Sequence, residues 1–218
     1  MGRLRAALAL WTTFVLAFAA LSYADRAAGG KPPKDVLYKW STLAAYLTQY
    51  LVIGLIVWAI AGLGSRWELF ALRRPTSWSL AAKIGAGVVV GMIVLTGIVT
   101  PILEPGREQG LTPTRWEPAH AGAYIANGIA IAVFAPLIEE LTFRGLGFSL
   151  LRRYGEWTAI VVTALAFGLA HGLVEALPLL VAFGLGLGYL RSRVDSIYPG
   201  IAVHGTFNAA ALIFAVAH

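Results

Sequence analysis

Long apolar stretches, each about the length of a membrane-spanning helix, follow one another through most of this 218-residue chain. A helix of about 20 predominantly apolar residues crosses the hydrocarbon core of a bilayer. Hydrophobic residues make up 58% of the sequence and charged residues 13%, which is about half the charged fraction of a soluble domain. The sequence therefore predicts an all-α, polytopic membrane helix bundle, with no room for a soluble domain of useful size.

Seven spans are predicted from the apolar runs and the residues that interrupt them. Their approximate ranges are 4–24, 43–64, 79–103, 119–153, 157–177, 179–190 and 197–218. The fourth would be about 50 Å long at 1.5 Å per residue, so it can cross tilted or kinked, with Pro136 as the kink. The first span could instead be a signal peptide, because Ser22-Tyr23-Ala24 has the small residues of a cleavage site. Cleavage there would leave six spans.

Most of the basic residues lie between these spans or near their ends, so membrane topology explains the formal net charge of +6, and no nucleic-acid partner is predicted. When the spans alternate, one side carries eleven basic residues: Arg3, Arg5, Arg66, Arg73, Arg74, Lys83, Arg144, Arg152, Arg153, Arg191 and Arg193. The other side carries six: Arg26, Lys31, Lys34, Lys39, Arg107 and Arg115. The positive-inside rule then predicts a cytoplasmic N-terminus.

Three polar clusters interrupt the apolar spans, and ionisable groups inside a bilayer are costly enough to indicate function. They centre on Glu139-Glu140 with Arg144, on His171, and on His204 with Asn208. At 1.5 Å per residue, Glu139 lies about 20 Å from the basic end of its predicted helix, His171 about 21 Å and His204 about 16 Å from theirs. Three helices thus place polar residues at a similar depth, and we expect these residues to converge on one cavity.

Helical spacing suggests a separate role for each of these polar residues. Glu140 and Arg144 are four residues apart and can pair, which lowers the cost of burying both charges. Glu139 is turned about 100° away from Glu140 and is expected to act with His171 on a water molecule. His204 and Asn208, also four apart, could donate hydrogen bonds to a developing oxyanion. With no cysteine in the chain and no serine in a nucleophile-elbow setting, a covalent nucleophile is not predicted.

A divalent metal is the alternative use of the same side chains. Glu139, His171 and His204 would supply three ligands, and water the fourth, in a catalytic zinc site. The H-E-x-x-H motif of the zincins is absent. The glutamate route, which requires no cofactor, is the mechanism we favour.

The ordered motifs E-E-x-x-x-R, F-x-x-x-H and H-x-x-x-N on successive predicted helices resemble the CPBP family, which includes CAAX prenyl endopeptidases of the Rce1 type and bacteriocin-immunity proteins. The matching residues are Glu139, Glu140, Arg144, Phe167, His171, His204 and Asn208. The resemblance covers residues 119–218 and implies a catalytic helical core there, with residues 1–118 as a variable set of N-terminal transmembrane helices. It also implies an intramembrane endopeptidase that acts on a membrane-anchored or C-terminally tailed protein. Arginine outnumbers lysine 13 to 4 and alanine is abundant, which suggests a GC-rich genome, so we expect a bacterial or archaeal cytoplasmic membrane.

Two other functions are compatible with the same residues. A non-catalytic immunity or scaffold protein would keep the fold, but here every motif position is filled. A proton-coupled transporter would use the intramembrane Glu and His residues as a relay. It would also need polar residues spread along a path through the membrane, whereas those of this chain gather at one predicted depth.

Overall fold

The computed structural model describes residues 2–29, 34–103, 113 and 115–217, and these residues form helices and turns without a strand. Lys31 and Arg107, two of the basic residues used to predict topology, lie outside this part of the chain. The helices are α1 (Gly2–Gly29), α2 (Trp40–Ala61), α3 (Arg66–Phe70), α4 (Trp78–Leu103), α5 (Pro118–Tyr154), α6 (Glu156–Ala170), α7 (Leu177–Val194) and α8 (Tyr198–Ala217).

Six of these helices, α1, α2, α4, α5, α7 and α8, are long and apolar enough to cross a membrane, and α6 is a shorter apolar helix. The predicted polytopic bundle of about seven transmembrane helices is therefore confirmed. Many large apolar side chains point outward, as expected where lipid is the solvent. Examples are Leu51 and Leu55 on α2 and Ile93 and Ile98 on α4.

The predicted boundary between the fifth and sixth spans was wrong. The fifth span was expected to run to residue 177 and to be ended by Pro178, but α6 ends at Ala170. Gly172, which has a positive φ of 66°, follows in the turn. Pro178 lies in the first turn of α7, where its missing N–H costs nothing. The sixth span is consequently longer than predicted, from Leu177 to Val194.

The long fourth span is confirmed as α5, and it is irregular at two places. It adopts π-helical geometry at Ala130–Phe134 and again at Leu141–Gly147, with the α-helical segment Ala135–Glu140 between them. Pro136, the predicted kink, lies just after the first π-helical segment. Such widened turns are rare in proteins, and those that do occur are often found at functional sites. Here they flank the two glutamates.

The core of the bundle forms around the second half of α5. The six residues from Thr142 to Gly147 are all buried, and Phe148 is completely so. Helices α6 and α7 form an antiparallel pair beside this segment. A Cβ at Gly184 of α7 would lie 2.9 Å from the Ala164 Cα of α6, so a glycine is needed for the two helices to pack this closely.

Candidate active site

An ion pair in the second half of α5 anchors the candidate site. Arg144 Nη1 lies 3.0 Å from Glu140 Oε1, and both side chains are fully buried, as the i, i+4 spacing predicts. Arg144 Nη2 also donates to the Gly184 carbonyl oxygen of α7 at 3.2 Å. Its guanidinium carbon lies 4.4 Å from the centre of the Phe167 ring on α6. The ion pair therefore ties α5 to both helices of the α6–α7 pair.

The imidazole of His204, on α8, lies between the two glutamates. Its Nε2 is 3.5 Å from Glu139 Oε2, and its Nδ1 is 3.4 Å from Glu140 Oε1. The residue is buried, with 3% of its surface exposed. The sequence predicted that Glu139 would face away from Glu140, but not that one imidazole would contact both carboxylates. His204 thus links the ion pair to Glu139.

Glu139 is the more accessible of the two glutamates, with 23% of its side chain exposed. Its Oε2 atom is itself buried and has no hydrogen-bond partner among the described residues. A buried carboxylate oxygen that can still accept a hydrogen bond is suited to bind a polar substrate atom or a water molecule.

The orientation of His171 is fixed by its own helix. Its Nδ1 lies 2.7 Å from the Phe167 carbonyl oxygen, and since a carbonyl only accepts, Nδ1 is the protonated nitrogen. In the neutral ring, Nε2 is then left as an acceptor. His171 lies at the C-terminal end of α6, half-buried. Its free acceptor nitrogen allows the predicted role of assisting Glu139.

Phe167 brings the two histidines together. Its ring centre lies 4.7 Å from that of His171 and 5.7 Å from that of His204, both in edge-on contacts. Phe183 packs against the other side of His204, at 5.1 Å. Glu139, Glu140, Arg144, His171 and His204 therefore belong to one cluster, in which Phe167 is the shared apolar wall.

Asn208 has a different immediate partner from the one that the sequence suggested. Its Nδ2 donates to the Ile131 carbonyl oxygen at 3.0 Å. In the first π-helical segment, the Ala135 N–H bonds to Ala130, and the next acceptor, Ile131, would need an N–H that Pro136 does not have. Asn208 therefore satisfies a carbonyl that the proline leaves unpaired. One N–H of its amide is still available for a substrate oxygen.

A charged network at the end of α7 supports the site from one side. Arg191 Nε donates to the Arg144 carbonyl oxygen at 3.1 Å, and its Nη1 lies 2.8 Å from Asp195 Oδ1. Arg152 and Arg73 contact the same carboxylate. Burial opposes ionisation of Asp195, but the hydrogen bond and charge of Arg191, with the charges of Arg73 and Arg152, outweigh it and lower its pKa.

The residues of the predicted zinc set do not form a metal-binding group. Within the part of the chain that the structure describes, no three His, Asp or Glu side chains are close enough together to hold a metal ion. Both ring nitrogens of His204 face carboxylates instead. The absence of a required metal stays a prediction, which the chelation experiment below tests.

Sequence reasoning missed two residues that shape this site. Gly200 of α8 leaves room for the Glu140 carboxylate, because a Cβ there would lie 2.6 Å from Glu140 Oε2. Trp11 of α1 donates to the Thr142 carbonyl oxygen of α5 at 2.9 Å. Neither carries a motif signal, since glycine and tryptophan are both common in membrane helices. Only the packing of distant helices identifies them.

Comparison with known proteins identifies the segment that carries the site. The family model described as type II CAAX prenyl endopeptidase Rce1-like matches residues 121–210. No curated protein and no solved structure matches the chain significantly. The matched segment contains the six polar residues of the candidate site: Glu139, Glu140, Arg144, His171, His204 and Asn208. Residues 121–210 of the chain are therefore similar to the Rce1-like family of type II CAAX prenyl endopeptidases.

Proposed function

We propose that this protein is an intramembrane endopeptidase that hydrolyses a peptide bond near the C-terminus of a membrane-associated or lipidated protein. The observation that carries the proposal is the buried oxygen of Glu139. It has no hydrogen-bond partner among the described residues and lies 3.5 Å from His204, within a segment that matches an endopeptidase family.

In this mechanism Glu139 is the general base. It takes a proton from a water molecule, assisted by the acceptor nitrogen of His171, and the resulting hydroxide attacks the scissile carbonyl carbon. The second N–H of Asn208 donates to the oxyanion of the tetrahedral intermediate, and His204 Nε2 joins it once Glu139, which this nitrogen faces, has taken up the water proton. Glu139 then passes its proton to the leaving amine, the C–N bond breaks, and the products are a carboxylate and an amine.

The charges of the cluster favour a mobile proton at this position. Glu140 and Arg144 neutralise each other at 3.0 Å, which leaves Glu139 as the remaining negative charge in a low-dielectric site. An isolated charge of this kind is costly inside a membrane. Taking a proton from the attacking water neutralises this charge, so the cost of holding it inside the membrane favours the general-base step.

The position of the site supports the proposed substrate class. The cluster lies inside a bundle whose outer surface is apolar, which favours a substrate that is itself held at the membrane. The matched family is named for CAAX prenyl endopeptidases, whose substrates end in a lipidated tail. For this chain we propose a protein segment held at the membrane by a lipid or by an apolar C-terminal tail.

The experiment compares membranes from cells that carry the wild-type chain with membranes from cells that carry Glu139→Gln. This substitution keeps the shape of the side chain but removes the base. We expect new C-termini, identified by mass spectrometry, only with the wild type. Cleavage of a reporter built from such a site should fall by about 10²–10⁴ in the variant. Glu68→Gln, in an exposed side chain of α3, is the matched control and should cleave normally.

The same purified reporter assay tests the mechanism. Enzyme treated with a strong chelator and shown by elemental analysis to be metal-free should retain its activity. Stoichiometric zinc, with activity lost on chelation and restored by added metal, would overturn the glutamate mechanism. Full cleavage by Glu139→Gln would overturn the role of the base, and identical C-termini in both membranes would favour a scaffold or immunity function.

A further inference from the structure

Helix α1 lies outside the segment that matches the family, yet it contacts that segment on both sides of the candidate site. Trp11 is almost fully buried, and its indole N–H donates to the Thr142 carbonyl oxygen at 2.9 Å. Thr142 belongs to the π-helical segment that begins directly after Glu140. Carbonyls of a π-helical segment are displaced from the regular helical pattern, and Trp11 supplies a donor to one of them.

The same tryptophan fills a space that α5 leaves for it. A Cβ at Gly147 would overlap the Trp11 indole ring, so α5 has no side chain where the indole packs. The buried residues of α1 are Ala7, Trp11, Val15 and Ala19, one every four positions. This spacing defines a single stripe along one face of the helix. Helix α1 is therefore packed into the bundle by a specific face.

Farther along α1, a second group of contacts fixes the turn that carries His171. The Ser22 hydroxyl lies 3.0 Å from the Ala170 carbonyl oxygen and 3.0 Å from that of Phe18, in its own helix. The Tyr23 hydroxyl donates to the Leu173 carbonyl oxygen at 3.2 Å. These two contacts lie on either side of His171 in the sequence.

Gly172 makes this approach possible. Its φ of 66° belongs to the left-handed region, and a Cβ at this position would lie 2.7 Å from the Ser22 Cβ. The chain can therefore turn away after His171 only with a residue that tolerates this backbone and adds no bulk. The turn and α1 fit each other at atomic contact distance.

We infer that α1 is a retained positioning element of the active site, which holds the glutamates of α5 and His171 of α6 in register. Its catalytic consequence rests on the proposed endopeptidase function, whereas its retention and packing do not. A removable signal peptide is the competing interpretation of residues 1–24. Its removal would leave the Thr142 carbonyl without the indole donor and would uncover the Gly147 face of α5.

The first test needs no substrate. The intact mass of the protein purified from membranes should include residues 2–24. In addition, Trp11→Ala should lower the Tm, whereas Trp78→Ala should not, since Trp78 on α4 is 60% exposed. A mature chain that begins after residue 24 would overturn the inference. An unchanged Tm for Trp11→Ala would do the same.

The second test separates positioning from simple stabilisation. Trp11→Phe keeps an aromatic ring but removes the hydrogen bond to Thr142, and Ser22→Ala removes the hydroxyl beside His171. Each should lower kcat about tenfold or more, because small misplacements of reacting groups are costly, while KM changes little and Tm falls less than in Trp11→Ala. Trp78→Phe and Ser79→Ala, both at exposed positions of α4, are the matched controls and should leave kcat unchanged.

The outcomes of the two tests can be told apart. Unchanged kcat for both Trp11→Phe and Ser22→Ala, in a wild type that cleaves the reporter, would overturn the positioning role. If kcat falls in proportion to Tm in every variant, α1 only stabilises the fold. That result would also overturn the positioning role. A wild type without endopeptidase activity would refute the proposed function, and the mass and Tm measurements would still decide whether α1 is retained and packed.

Discussion

Helices α4 and α5 are both long enough to cross a membrane, but they use their residues in opposite ways. In α4, the buried residues are Ala81, Gly85 and Met92, and the large apolar side chains point outward. In α5, the buried residues include the Glu140–Arg144 ion pair and Thr142. Where lipid is the solvent, large apolar side chains can therefore face outward, and the buried charged side chains are gathered in the interior, at the candidate site.

This comparison predicts where substitutions matter. Changes at the outward-facing positions of α4 should be tolerated if they remain apolar, because lipid adapts to them. Changes in the second half of α5, or in residues of other helices that contact it, should impair folding or activity. The three experiments below test this difference, from the largest expected effect to the smallest.

Breaking the buried ion pair should have the largest effect on stability. Arg144→Ala leaves Glu140 as an unpaired charge where both side chains are fully buried, at a cost of about 3–5 kcal/mol. We expect a large fall in folded yield and in Tm, measured in detergent or in nanodiscs, together with loss of cleavage. Lys83→Ala, at an exposed position of α4, is the control and should keep the wild-type Tm.

The double substitution Glu140→Gln with Arg144→Met sharpens this test. It removes both charges, so it should recover much of the stability lost by Arg144→Ala. Cleavage should remain impaired, because His204 would lose the Glu140 carboxylate that lies 3.4 Å from its Nδ1. A normal Tm in the single Arg144→Ala variant would contradict the energetic role of the pair.

Two glycines provide a matched comparison between the outside and the site. A Cβ at Gly87 of α4 would meet nothing within 4 Å, whereas a Cβ at Gly200 of α8 would lie 2.6 Å from Glu140 Oε2. Alanine is the better helix former by about 1 kcal/mol, so Gly87→Ala should keep or raise the Tm. Gly200→Ala should lower stability by about 1–3 kcal/mol through overpacking and reduce cleavage. Equal Tm changes in the two variants would contradict the comparison.

Much of the site could be predicted from the sequence because a membrane restricts where polar residues occur. The i, i+4 spacing of Glu140 and Arg144 indicated their pairing, and counting residues from the basic helix ends indicated a common depth for Glu139, His171 and His204. Both arguments depend only on helix geometry. They do not depend on which helices are neighbours.

The features that the sequence did not reveal depend on contacts between helices or on backbone hydrogen bonds. The contact of His204 with both carboxylates requires the rotation of α8 against α5, which periodicity does not determine. The π-helical segments change the hydrogen-bond pattern without changing the apolar composition. The end of α6 at Ala170 was missed because the following residues, as far as Leu177, are also mostly apolar.

The smallest expected effect concerns Asp195, which joins the ends of α5 and α7 outside the membrane-spanning segments. Because its folded-state pKa is lowered from the ordinary value of 3.8, its ionised form contributes stability at neutral pH. This contribution should be lost as the pH falls below about 4, through the folded-state pKa. Asp195→Asn should remove this part of the pH dependence. It should lower the free energy of unfolding by less than about 1 kcal/mol for each of the partly exposed ion pairs that Asp195 makes with Arg73 and Arg152.

Asparagine suits this test because Asp195 has a φ of 52°, and asparagine tolerates that left-handed backbone. The substitution therefore removes the charge without adding backbone strain. Asp25→Asn, at an exposed position of α1, is the control, and its Tm should fall at acidic pH as the wild-type Tm does. Since Arg191 also donates to the Arg144 carbonyl oxygen, loss of Asp195 should loosen that arginine and reduce cleavage modestly at neutral pH. An Asp195→Asn variant with the wild-type pH profile would show that the site does not depend on this network.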